Sequence, residues 1–177
     1  MHKSQACELN QWHERFQSVK DLELNIRIAD VRELPASHIN RWEILRYRGE
    51  KLSITLTSRF IVHEPESQVE LRVRALYHYM RGMVTRPLLD CGVSVTVDMS
   101  PFPSALADGA ELPPRLMSIL YGAGIGALRG VIALRTSGTS LSSFPLPLVN
   151  ISELVSSHMY GTPAPSFCFP LSEMIYN

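Results

Sequence analysis

Leu112-Pro113-Pro114 opens, and Phe144-Pro145-Leu146-Pro147-Leu148-Val149-Asn150-Ile151 closes, the stretch on which the fold turns. Between them the chain is almost wholly apolar from Leu116 to Leu134, interrupted by Arg129, and then rich in Thr, Ser and Gly. Prolines at 113 and 114 suit a first helical turn, where the missing N–H groups have no intrahelical partner anyway. Gly138 is a C-terminal stop. The pattern predicts a helix over 114–136, a Pro/Asn turn, and a short last helix over 151–160. In that last helix Ile151, Leu154, Val155 and Met159 fall on one side.

Upstream the period changes to two. Leu22, Leu24, Ile26 and Ile28 alternate with Glu23, Asn25 and Arg27, predicting a strand that ends near Pro35. Leu52, Ile54, Leu56 and Phe60 predict a second strand over 51–62, and Glu64-Pro65-Glu66-Ser67 a tight reversal. Val69, Leu71, Val73, Ala75 and Tyr77 share one face of a third, which Gly82 breaks. Cys91, Val93, Val95 and Val97 line a fourth over 88–99. Short connections and one-sided alternation argue an α+β fold: a four-stranded antiparallel meander packed by the long helix. Its core is expected at Ile54, Leu56, Leu71, Val73, Val93 and Val95. Leu9, Trp12, Phe16 and Val19 add a helix within residues 1–20. One domain over 1–160 is expected, followed by a loosely ordered tail over 161–177 that holds Pro163, Pro165 and Pro170.

Composition narrows the function. At 177 residues and 45% hydrophobic content the chain is long and apolar enough to bury a core. Lys+Arg and Asp+Glu both number 17, so no net charge draws it to nucleic acid. Cys7, Cys91 and Cys168 are scattered without metal-ligand spacing, and the polar N-terminus points to the cytoplasm. The 116–134 segment has the length of a membrane span, but Arg129 inside it and four glycines argue for a buried helix instead.

Gly122-Ala123-Gly124-Ile125-Gly126-Ala127 satisfies the GxGxxA dinucleotide pattern, yet it falls inside the predicted helix rather than between a strand and a helix. Gly122, Gly126 and Gly130, four apart, read better as a stripe for close packing against either a partner helix or the sheet. The six histidines form no ligand pattern, and Ser140, Ser142 and Ser143 lack a nucleophile elbow. Arg72 and Arg74, with Arg81 beyond, suggest either an anion site or a solvated outer face, the latter favoured. No paired acid and base or activated nucleophile is visible, so neither an enzyme nor a cofactor is expected.

Residues 36–50 have neither period, yet they are bulky: Ile39, Trp42, Ile44, Leu45 and Tyr47 interleave with Arg41, Arg46 and Arg48. Either these side chains complete the monomer core or they form an exposed surface that a partner covers.

Taken with the strand order, Arg129-Gly130-Val131-Ile132, Phe144-Pro145 and Leu146-Pro147-Leu148-Val149-Asn150-Ile151 resemble the SecB-like family of export chaperones over residues 20–160. Leu148 stands where that family often has proline. The resemblance implies an ATP-independent holdase for unfolded polypeptides, assembled as a dimer or dimer of dimers. It also implies an apolar peptide channel between a crossover loop and the helical layer, expected here at Ile39, Trp42, Ile44, Leu45, Tyr47 and Phe144. Implied partners are an unfolded client, further copies of the chain, and either a translocation motor or a toxin–antitoxin pair. The alternative is a module of the same fold dedicated to one partner.

Overall fold

The computed structural model describes residues 25–35, 37–48, 51–100, 112–161 and 166–169. The helix expected within residues 1–20, and Leu22 and Leu24 of the first strand, lie outside them. The elements are β1 (Asn25–Glu33), β2 (His38–Ile39), α1 (Arg41–Arg46), β3 (Leu52–His63), β4 (Gln68–Arg81), β5 (Val84–Ser100), α2 (Pro114–Thr136), a 3-10 turn (Ser140–Ser143), α3 (Ile151–Tyr160) and β6 (Ser166–Phe169).

The sheet is antiparallel, in the order β1-β5-β4-β3-β6, with β2 pairing β5 beyond the end of β1. The expected four-stranded meander is therefore corrected in two respects. Only β3, β4 and β5 form a meander, because β1 crosses over to pair with β5 rather than β3. And the tail expected to be loose supplies a further strand, β6, on the outer edge of β3. Alternation shows which residues share a face; it carries no information about which strand lies next door.

Two turns set the meander. Ser67 takes a left-handed conformation (φ 54°) in the reversal between β3 and β4. Gly82 (φ 64°) heads a two-residue loop between β4 and β5, where glycine at the first position gives a twist that suits a hairpin. β5 consequently begins at Val84, earlier than the alternation alone predicts.

The core is where the periods place it. Ile54, Leu56, Leu71, Val73, Val93 and Val95 are buried on the sheet face that carries α2. From α2 come Leu116, Leu120, Tyr121, Ile125, Leu128 and Ile132. Phe60 meets Tyr121 edge-on at 5.2 Å between ring centres, and the Tyr121 hydroxyl lies 2.8 Å from that of Ser58. α3 starts at Asn150, whose side chain accepts from the Ser152 N–H, and ends at Gly161 in the left-handed conformation (φ 65°). By length and mean hydropathy (1.6) α2 would suffice to cross a membrane; here one of its faces lies on the sheet.

One of the two expectations for the glycine stripe, close approach to the sheet, is corrected. Among the described residues, a Cβ at Gly122, Gly126 or Gly130 would meet nothing within 4 Å. The close approach is at Gly124, where a Cβ would stand 3.2 Å from both Leu71 Cδ2 and Val73 Cγ1. Four-residue spacing selects a face of the helix, and the sheet occupies a different one. Gly122, Gly124 and Ala127 of the GxGxxA pattern all lie within α2, so no strand-to-helix turn exists there to receive a pyrophosphate.

Candidate peptide-binding surface

The crossover from β1 to β3 first tracks β5. The Leu34 N–H donates to the Gly92 carbonyl at 2.8 Å, β2 pairs with Asp90 and Leu89, and the Asn40 N–H donates to the Leu88 carbonyl at 2.8 Å. The chain then turns into α1. The Asn40 side-chain oxygen accepts from the Glu43 N–H at 3.2 Å, capping the helix start. The Tyr47 N–H closes its end on the Glu43 and Ile44 carbonyls.

Residues three apart share a helix side, and this divides the expected site residues into two sets. Ile44 and Tyr47 are buried, Tyr47 packing edge-on against Tyr79 (5.3 Å) and Phe144 (6.4 Å). Trp42 and Leu45, on the other side, are 74% and 67% exposed. Ile39 and Phe144 are half-buried against the core. The expectation that the segment has no period to bury its bulky groups is thus corrected, because one and a half helical turns bury two of them.

Glu43 anchors the helix to the sheet. It accepts from the Tyr79 hydroxyl at 3.0 Å and lies about 4 Å from the guanidinium groups of Arg46 and Arg86. Tyr79 and Arg86 are paired positions of β4 and β5 close to their hairpin, so α1 stands at that end of the sheet. The hairpin itself presents Met80 and Val84, each about half exposed, and Met83 at its tip, 97% exposed. Sequence reasoning missed these three. The signal was there, since Met83 and Val84 follow Gly82 in a turn where polar residues are the norm.

The sheet face away from α2 is polar and internally paired. Glu70, only 2% exposed, accepts two hydrogen bonds from Arg72 (2.8 and 3.0 Å), one from Ser94 (2.5 Å), and lies 3.1 Å from the His63 ring nitrogen. The Arg72 hydrogen bonds, helped by Ser94 and His63, hold its carboxyl down at about 2 against the opposing effect of burial. Arg74 forms a two-pronged pair with Asp90, and Asp98 accepts one hydrogen bond from Arg27 and one from Gln68. Arg72 and Arg74 are therefore committed to neighbouring carboxylates, which removes the anion-site reading. Burial pushes the Cys91 thiol up to about 11, so it is an inert core group at neutral pH. Among the described residues no group of three or more His, Cys, Asp or Glu is placed to hold a metal ion.

No protein-family model and no curated protein sequence matches the chain. Among solved structures it is similar to the Mycobacterium tuberculosis Rv1957 SecB-like chaperone in complex with a ChAD peptide from the Rv1956 HigA1 antitoxin. The identity is 17% and the TM-score 0.38, over 83% of this chain and 98% of that one. A likeness that loose transfers neither fold detail nor function.

Proposed function

We propose that the chain is an ATP-independent holdase that grips unfolded or partly folded polypeptide at the crossover end of its sheet. One observation carries this reading: Trp42 and Leu45 stand outward on a helix whose other side is locked into the core by Ile44, Tyr47 and Glu43. Burying a large apolar side chain is worth about 1.5–3 kcal/mol, so a pair held in water is a standing incentive for a partner to cover them. Met80 and Met83 at the same end add flexible, polarizable side chains of the kind that adapt to many client sequences. Action in the cytoplasm, without cofactor, catalysis or membrane insertion, and with a role in protein export, belongs to the same proposal. So does self-association: the exposed face of α2 carries Ile119, Leu134 and the three open glycines, against which a second copy can pack.

The test is suppression of aggregation of an unrelated unfolding protein at near-stoichiometric ratio, without nucleotide. Protection that disappears in a Trp42→Ala, Leu45→Ala double variant supports the proposal; no protection by the wild type sinks it. A second reading, a module dedicated to one partner such as a member of a toxin–antitoxin pair, draws on the rigidity of α1. Its cap and its Glu43 anchor preorganise a single geometry. Such a module would retain its one partner in a pull-down and leave a generic client unprotected.

A further inference from the structure

On its inner edge β3 is paired with β4 over all of Leu52–His63, whereas on its outer edge β6 pairs only with Leu52–Thr55. From Leu56 to His63 the outer edge of β3 has no strand beside it among the described residues. Prolines bound β6 on both sides: Pro165 precedes Ser166 and Pro170 follows Phe169. Were the ladder to continue, Pro165 would fall opposite Leu56 and Pro163 opposite Ser58, and neither has an N–H to donate. The sequence thus limits the chain's own segment to a short hold on a much longer edge. That hold is made where it matters, because Phe167 pairs with Ile54 and packs half-buried against the core. Leu52, at the other end of the β6 ladder, pairs across β3–β4 with Tyr79, the ring that touches Tyr47 and anchors Glu43. The β6 edge and the crossover surface are therefore continuous.

We propose that the outer edge of β3 is a strand-acceptor site and that β6 is its resident pseudo-client. An extended client segment with a large apolar residue at the Phe167 position displaces β6, pairs with Leu52–Thr55 and continues along the edge the prolines leave open. Main-chain pairing supplies affinity without regard to sequence, and the Phe167 site supplies the preference for aromatic or aliphatic side chains. The proposal rests on the holdase reading and gives it a mode of binding; exchange of β6 by another copy's tail is the competing occupant.

The register supplies a lock. Ser53 pairs directly with Cys168, and paired positions of an antiparallel ladder have Cβ atoms about 4.5–5.5 Å apart, close to a disulfide's reach. In a full-length Cys7→Ser, Ser53→Cys chain, oxidised glutathione should join the two thiols, with their hydrogens and electrons passing to two molecules of reduced glutathione. Carboxymethylated α-lactalbumin, permanently unfolded, is the client. In parallel, a fluorescent peptide of residues 163–172 carrying Cys168→Ser is titrated into the wild type and into full-length Phe167→Asp.

The expected results are client affinity at least tenfold weaker in the locked form, restored by dithiothreitol, and at least tenfold tighter peptide uptake by Phe167→Asp than by wild type. A disulfide within one chain with unchanged client affinity overturns the strand-acceptor site and leaves the holdase reading standing. A disulfide only between two chains overturns it in favour of the second copy. If no form binds the client, the holdase reading falls, and peptide uptake alone decides the edge: equal uptake by both proteins overturns it, preferential uptake supports it.

Discussion

The sheet with α2 and the crossover with α1 solve the same problem, a surplus of bulky apolar groups, in opposite ways. In the sheet β3 and β4 turn every second residue to the face under α2, so Leu52, Ile54 and Leu56, or Leu71, Val73 and Ala75, all end buried. In the crossover, six residues of helix bury Ile44, pass the chain into buried Tyr47, and leave Trp42 and Leu45 in water. A long element is held by the burial of its whole face. A short one is held at its ends, here by Asn40, Glu43 and Tyr47, so the side chains between them are free to serve something other than stability.

The sharpest way to break that contrast is Tyr47→Ala. Removing a buried aromatic costs about 3–5 kcal/mol, and the Tyr79 and Phe144 ring contacts go with it. For a chain of this size the melting temperature should fall by on the order of 10 °C. A fall of only a degree or two would mean that α1 is a loosely attached flap. The whole segment would then belong with the binding surface.

Next in size is Glu70→Gln, which tests the face opposite α2. A hydrogen bond to a charged partner contributes about 1.5–3 kcal/mol, so the variant should lose roughly that much at neutral pH by denaturant unfolding. The sign of the pH dependence follows from the depressed carboxyl. With its folded pKa near 2 against an ordinary 4.5, Glu70 stabilises the fold fully above about pH 4.5, and that contribution drains away as pH falls towards 2. The variant should show a shallower loss of stability across that interval. Equal slopes would mean that other carboxylates govern acid unfolding.

On α2 a pair of glycines sharpens the account of the helix–sheet side. Gly126→Ala meets no described residue within 4 Å and, at dilution, should gain about 1 kcal/mol from helix propensity. Gly124→Ala has the same propensity gain but drives a methyl against Leu71 and Val73, so it should fall about 1 kcal/mol or more below Gly126→Ala. If the order reverses at high protein concentration and not at dilution, a second copy packs on Gly122, Gly126 and Gly130, as the self-association proposal holds.

Much of this was legible in the residues. The α2 boundaries, the inward positions of β3, β4 and β5, and α3 all follow from periods long enough to read. Strand order was not, because β1 has the same parity whether it lies beside β3 or β5. Glu70 sits at a polar position of β4, and nothing in the alternation says that Arg72, Ser94 and His63 close over it. β6 was hidden by its own prolines, which read as a tail while limiting a strand. α1 is too short to display a period, and only its three-residue offset, Ile44 to Tyr47 against Trp42 to Leu45, would have separated core from surface.

The smallest expected effect on stability is the one that matters most for function. Trp42→Ala with Leu45→Ala removes two side chains that are mostly in solvent, and exposed positions away from special features typically change stability by within about 0.5 kcal/mol each. The double variant should therefore unfold within about 4 °C of the wild type while losing protection of an aggregating client. Tyr47→Ala should do the reverse in kind, lowering stability first and binding only as a consequence of unfolding. The two variants compared well below their melting temperatures separate the roles. If the Trp42, Leu45 variant still protects the client fully, then the surface that holds polypeptide is not on α1, and the edge of β3 remains to account for it.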